Sequence, residues 1–166
     1  EYLENIDFHF VSDDLPKVLS SMKIGADRIL KLVKSFRNFS RLDEGKMKPV
    51  NIHEGIDSTL LILQIRLKAQ PDSPLIHVVK NYGNLPLVEC YAGELNQVFM
   101  NILANAIDVI ESYNLERGYQ EAITNPCAIA ITTEYSTPNR ITVRIADNGP
   151  GIAENVKQRL FDPFFT

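Results

Sequence analysis

Apolar residues recur every seven positions near the start of the chain, at Leu15, Met22, Ile29 and Phe36. Val18, Leu32 and Phe39 fall close to the intervening core positions, and Leu19, Ala26 and Val33 lie beside them. This periodicity predicts one long amphipathic helix over about residues 14–42, of the kind found in coiled coils and bundles. Lys17, Lys23, Arg28, Lys31, Lys34, Arg37 and Arg41 occupy its outer faces. Asp13 or Asp14 is the expected cap, with Pro16 tolerated in the first turn. A single helix cannot bury its own stripe, so the pattern calls for a second helix, from this chain or from another copy. Ile6, Phe8 and Phe10 belong to a leading segment too short to be that partner.

The pattern changes after Asp43-Glu44-Gly45-Lys46, where Gly45 suits a helix end. Met47 to Val50 reads as a short strand, and Asn51-Ile52-His53-Glu54 as a capping box opening a helix with Ile56, Leu60, Leu63 and Leu67 on one face. A loop from Pro71 to Pro74 precedes a strand from Leu75 to Lys80, a turn at Asn81-Tyr82-Gly83-Asn84 and an extended stretch from Leu85 to Cys90. The next helix is expected over about 92–113, with Leu95, Val98, Phe99, Ile102, Leu103, Ala106 and Ile110 forming one broad apolar face. Glu116 to Asn125 is polar, a loop or helix end. Cys127 to Tyr135 and Arg140 to Asp147 alternate as the two strands of a hairpin. The order, a helix followed by β-α-β-β-α-β-β, predicts an α+β fold with helices on one face of a mixed sheet, attached to a helical stalk.

Composition narrows the classes. The 166 residues hold one domain of ordinary size plus an appendage, with 45% hydrophobic and 23% charged residues. A net charge of −4 lacks the basic excess of a nucleic-acid binder. No run of about 18 apolar residues is present, so no membrane contact is expected, and the acidic start Glu1-Tyr2-Leu3-Glu4 is unlike a secretory signal. Cys90 and Cys127 lack metal-ligand or redox spacing and read as reduced, buried thiols. These features fit a cytoplasmic segment, whether or not a longer parent is membrane-anchored.

Three blocks carry candidate chemistry. Asn101 and Asn105 lie four apart and project from one face of the central helix, where their amide oxygens suit a hard cation such as Mg²⁺ or serve local backbone groups instead. Asp147 ends a strand and is followed by Gly149 and Gly151; its carboxylate can accept from an exocyclic amine while the glycines allow close approach, although the same turn is a sound loop without any ligand. Phe161, Phe164 and Phe165 surround Asp162-Pro163, an arrangement that by itself reads as core packing. Together the blocks point to a nucleotide pocket.

In order and spacing, Asn101/Asn105, Asp147/Gly149/Gly151 and Phe161/Phe164 resemble the N, G1 and F boxes of bacterial two-component sensor histidine kinases of the GHKL ATP-binding superfamily. The likeness covers essentially the whole chain and is most specific at 94–108 and 147–166; Phe36 to Arg41 is similar to the end of a dimerisation-domain helix. It implies a partial dimerisation domain over 1–44 and a Bergerat-type ATP-binding sandwich over 45–166, truncated at its C-terminal end. ATP and Mg²⁺ are the implied ligands, with Asn105 holding Mg²⁺ and Asn101 assisting with metal or phosphate. Asp147 would meet the adenine amine, Gly149, Gly151 and Ile152 would form the turn beneath the base, and Phe161 and Phe164 would anchor a lid. Asp108 stands where many relatives carry a basic residue, so no phosphate contact is assigned to it. The implied partners are a second copy, through the N-terminal helix, and a response regulator receiver domain.

Asn101 bears on which relative this is. Hydrolytic GHKL ATPases carry a glutamate there to activate water, and an amide cannot act as a general base. The residue favours phosphoryl transfer over hydrolysis. Other GHKL ATPases, serine-directed kinases and a non-catalytic dimerisation module remain as alternatives. Of the three histidines, His9 lacks a following acidic residue, His53 opens a helix of the ATP-binding domain as a surface residue, and His77 alternates within a strand. None is expected to accept phosphate, and the family's acceptor lies on a first dimerisation helix with no counterpart here. The phosphate-cradling Gly-rich G2 box is also absent from these residues, so weak or no ATP binding and no autophosphorylation are expected of these 166 residues alone.

Overall fold

The computed structural model describes residues 8–40, 46–69, 74–136, 139–152 and 154–157. Helix α1 spans Phe8–Ser40, followed by strand β1 (Lys48–Val50), helix α2 (Ile52–Leu67), β2 (His77–Tyr82), β3 (Val88–Cys90), α3 (Ala92–Arg117), α4 (Tyr119–Thr124), β4 (Ala128–Ser136), β5 (Arg140–Asp147) and the short α5 (Glu154–Lys157). The α+β class is as expected. So is the mixed sheet, three-stranded and ordered β2-β4-β5, beside which β1 and β3 form a separate antiparallel ribbon. In the larger sheet β2 runs parallel to β4, and β5 antiparallel to it. β1 and β3 are only three residues each and pair with one another from Lys48↔Cys90 to Val50↔Val88, which leaves no strand length to join the larger sheet.

The core lies where α2 and α3 pack on the larger sheet. Ile56, Leu63 and Leu67 of α2, Phe99, Leu103, Ile107 and Ile110 of α3, and Ile129 and Ile131 of β4 form one buried cluster. Asn51 caps α2 as expected, its Oδ1 accepting from His53 N at 3.1 Å. Arg66 then ties α2 to α3: its Nε and Nη2 donate to Glu111 at 3.2 and 2.5 Å, and Nη2 also reaches Asp108 at 2.5 Å. The bond to Glu111, then that to Asp108, raises the Arg66 guanidinium above its ordinary pKa.

Several expectations are corrected. The first helix begins at Phe8, so Asp13 and Asp14 are interior residues and not caps, and Pro16 lies inside the helix. A proline there removes a backbone bond and crowds the carbonyl one turn earlier, yet the helix continues through it to Ser40. The strand expected at Leu75 to Lys80 is shifted to His77–Tyr82, because its register follows the parallel pairing from His77↔Ala128 to Tyr82↔Thr133; Asn81 and Tyr82 are therefore strand and not turn. The polar stretch after residue 116 contains α4, entered after Gly118. On α3, Val98 and Ile102 are exposed at 49% and 44%, while Ile107, omitted from the expected face, is fully buried. The core face of α3 is thus rotated from the predicted one, since Val98 and Ile102 line an open groove of about 580 Å³ against Ile141, Val143 and Ile145 of β5. Cys127 is buried as expected, but Cys90, on a ribbon at the edge of the core, is only half-buried. Burial raises both thiols, that of Cys127 also under the influence of Asp147 and against the pull of Arg117.

Helix α1 packs on α2 and α3, with Ser35 buried. Of its described stripe residues, Leu15, Leu19, Met22, Ile29 and Val33 are each more than half exposed, and Leu32 is half-buried.

Candidate nucleotide site

The site lies where the outward face of α3 meets the turn that leaves β5. Asn101 and Asn105 are both exposed and one helical turn apart, on the side opposite the buried Leu103, Ile107 and Ile110. Nothing in the packing of α3 requires amides there. Asp147 is the last residue of β5 and is exposed. Its Oδ1 accepts from Gly149 N at 3.0 Å, closing an Asx turn at this exposed carboxylate.

That turn bears directly on α3. A Cβ placed on Gly149 would stand 2.9 Å from Asp147 Oδ1, 3.5 Å from Val109 Cγ1 and 3.8 Å from Ile110 Cγ1. Val109 is one helical turn beyond Asn105, so the glycine brings the strand end and the Asn-bearing face together without a side chain between them. Gly151 adopts φ +78, a left-handed conformation that L side chains rarely take, and turns the chain onward to the exposed Ile152. Beside the turn, Pro150 and the α3 residues Asp108, Val109, Ser112, Tyr113 and Glu116 line a cleft of about 230 Å³. The structure therefore sets Gly149 against α3 one turn beyond Asn105, with Asp147 before it and Gly151 and Ile152 following in the same turn. Phe161 and Phe164 lie outside the described residues.

Sequence reasoning missed Val109 and Tyr113, whose signal was their helical spacing from Asn105. It also missed the role of Asp108, whose carboxylate holds the Arg66 guanidinium beside the Asn-bearing face. The histidines are placed clearly. His9 falls within α1 and His77 is exposed on β2. His53 is half-buried, not a free surface residue. Its Nε2 lies 2.8 Å from Thr133 Oγ1, and its ring stacks on Tyr82 at 4.1 Å and 3°. Tyr82 in turn donates to Asp57 at 2.9 Å, and burial followed by that bond pushes its phenol pKa upward.

Mg²⁺ takes oxygen ligands and keeps several of its own waters or phosphate oxygens. Among the described residues no group of three or more His, Cys, Asp or Glu could hold a metal. Two exposed amide oxygens one turn apart fit an ion that draws most of its coordination from a nucleotide and water. They would not fit a metal caged wholly by protein.

Residues 91–166 match the family described as histidine kinase-, DNA gyrase B- and HSP90-like ATPase. The sensory histidine kinase/phosphatase NtrB of Rhizobium leguminosarum bv. phaseoli is 31% identical over 147 residues, covering 84% of this chain and 36% of that protein. The signal transduction histidine-protein kinase AtoS of Escherichia coli K12 is 29% identical over 141 residues, covering 84% of this chain and 20% of AtoS. Full-length ShkA, solved in complex with AMPPNP, superposes with a TM-score of 0.51 at 20% identity over 85% of this chain and 28% of its own. The fold is that of the GHKL ATP-binding domains. Residues 91–166 are thus similar to GHKL-type ATPase domains, and the chain resembles sensory histidine kinases over most of its length while spanning about a third of the length of its NtrB relatives. Among the described residues, no helix is long and apolar enough to cross a membrane.

Proposed function

We propose that the protein is an ATP-dependent histidine kinase of a two-component system, with residues 1–44 in the dimerisation domain and 45–166 in the ATP-binding domain. The observation that carries this reading is the contact of Gly149 with Val109 and Ile110, one turn beyond Asn105, with Asp147 held in an Asx turn beside it. In this reading the exposed carboxylate of Asp147 accepts from the exocyclic amine of adenine, and the Gly149–Ile152 turn lies under the base. Asn105, assisted by Asn101, holds Mg²⁺ against the phosphates, and the bound ion supplies neutralisation of phosphate charge. Phe161 and Phe164 anchor a lid. The γ-phosphorus to oxygen bond of ATP breaks as a nitrogen–phosphorus bond to a protein histidine forms, and ADP leaves. The phosphoryl group then passes to an aspartate of a response regulator.

Asn101 favours transfer over hydrolysis, because an amide at this position cannot take a proton from water. Catalysis then rests on positioning and charge stabilisation, as is usual for phosphoryl transfer. The exposed stripe Leu15, Leu19, Met22, Ile29 and Val33 supports a second copy as the partner of α1.

The test is nucleotide binding and phosphohistidine formation by the intact protein. Mg-ATP is expected to bind, and Asp147→Asn is expected to weaken it roughly 10- to 100-fold, the cost of losing a charged hydrogen-bond acceptor. Failure of the unmutated protein to bind ATP, or an Asp147→Asn variant of unchanged affinity, would overturn the reading.

A further inference from the structure

We propose that Asn148 is a positioning residue for the adenine-binding carboxylate, acting as a latch that fixes where the chain leaves β5; this rests on the reading of Asp147 given above. The β4–β5 ladder ends at the pair Ile129↔Asp147, and beyond it the chain turns away through Gly149 and Pro150. The first backbone groups of β4 would lose their partners at that departure. Asn148 replaces them from both its backbone and its side chain. Its N–H donates to Ala128 O at 3.2 Å, its Oδ1 accepts from Ala128 N at 2.7 Å, and its Nδ2 donates to Pro126 O at 3.3 Å.

The segment it grips is itself fixed from two other directions. Cys127 O accepts from His77 N of the neighbouring strand at 3.0 Å. Cys127 Sγ, fully buried, accepts from Arg117 Nη2 at 3.1 Å and donates to Asn114 Oδ1 at 3.4 Å, and Asn114 also accepts from Arg117 Nη2 at 2.6 Å. Arg117 and Asn114 belong to α3, the helix that carries Asn101 and Asn105. The start of β4 therefore acts as a post tied to α3, and Asn148 ties the turn to that post. One residue away, Asp147 has its own carboxylate held by Gly149 N. Two side-chain locks in succession leave the carboxylate of Asp147 little freedom relative to the Asn-bearing face. Aspartate or alanine at 148 could not make both side-chain bonds, since an ionised carboxylate only accepts and a methyl group does neither.

Asn148 is exposed, so water can take over its bonds when it is removed. The fold is therefore expected to survive Asn148→Ala, with the cost appearing in the order of the turn. In the intact protein, Asn148→Ala should raise the KM for ATP about tenfold and leave kcat within about twofold, the signature of a lost binding contact rather than a lost transition-state contact. The preference for ATP over GTP should shrink by about the same factor, and hydrogen exchange at Ala128 N–H should accelerate with or without nucleotide. A general loss of stability would not change the base preference. Unchanged KM and unchanged ATP-over-GTP preference, in a protein that binds ATP, would overturn this proposal and leave the ATP reading intact. Absence of ATP binding by the unmutated protein would overturn both.

Discussion

Helices α1 and α3 are both long and both carry an apolar stripe, yet the stripes meet opposite fates. On α3, Leu103, Ile107 and Ile110 are completely buried against α2 and the larger sheet. On α1, residues of the same type at equally regular spacing remain more than half exposed. The difference teaches that periodicity specifies a face and not its occupant. The α3 face is satisfied within the chain by residues far away in sequence, while most described residues of the α1 stripe find no such cover. A third kind of surface then stands out against these two. The Asn101–Asn105 face of α3 is neither an apolar stripe nor a charged solvent face, and packing gives no reason for it.

Three substitutions sharpen that comparison. Leu103→Ala should produce the largest effect on folding, about 2–5 kcal/mol lost in denaturant unfolding, because it removes a fully buried side chain and leaves a cavity. A loss below about 1 kcal/mol would mean that α3 is not the centre of the core. Met22→Glu should leave the unfolding of the ATP-binding domain within about 0.5 kcal/mol while weakening self-association in sedimentation experiments. If the mutant unfolds the domain, or sediments as the unmutated protein does, the open stripe is not a surface for a second copy. Asn105→Ala should have the smallest effect on stability, within about 0.5 kcal/mol, and none on association, while abolishing Mg-dependent nucleotide binding. Retained Mg-dependent binding in that variant would remove the assignment of Asn105 to the metal.

Legibility in the sequence varied with the range of the interactions involved. The α2 cap at Asn51, the hairpin β4–β5 and the Asx-Gly turn after Asp147 are local, and each was readable because neighbouring residues supply the partners. The strand β2 was placed out of register, because its ends are set by a parallel partner some 50 residues away in sequence, as the bonded pair Tyr82↔Thr133 shows. Val98 and Ile102 were assigned to the core on spacing alone. The groove beside β5 that leaves them open arises from how α3 lies across the sheet, a relation no local pattern encodes. His53 illustrates the same limit. Its position in a first helical turn suggested solvent, but Tyr82 and Thr133, brought in by two strands, enclose it.

By itself, the sequence determined the class of fold, the positions of the main helices and hairpin, and the residue types able to meet a nucleotide. Helix capping, β alternation and glycine turns are short-range effects, and the Asn pair is fixed to one face by helical geometry alone. Only the tertiary structure decided which long-range contacts these groups make. The approach of Gly149 to Val109, the double grip of Asn148 on the start of β4, and the division of the strands into two sheets all depend on contacts between residues distant in sequence. Such contacts are selected by the packing of the whole core, in which burial of α2 and α3 against β4 sets the distance from which the turn meets the helix.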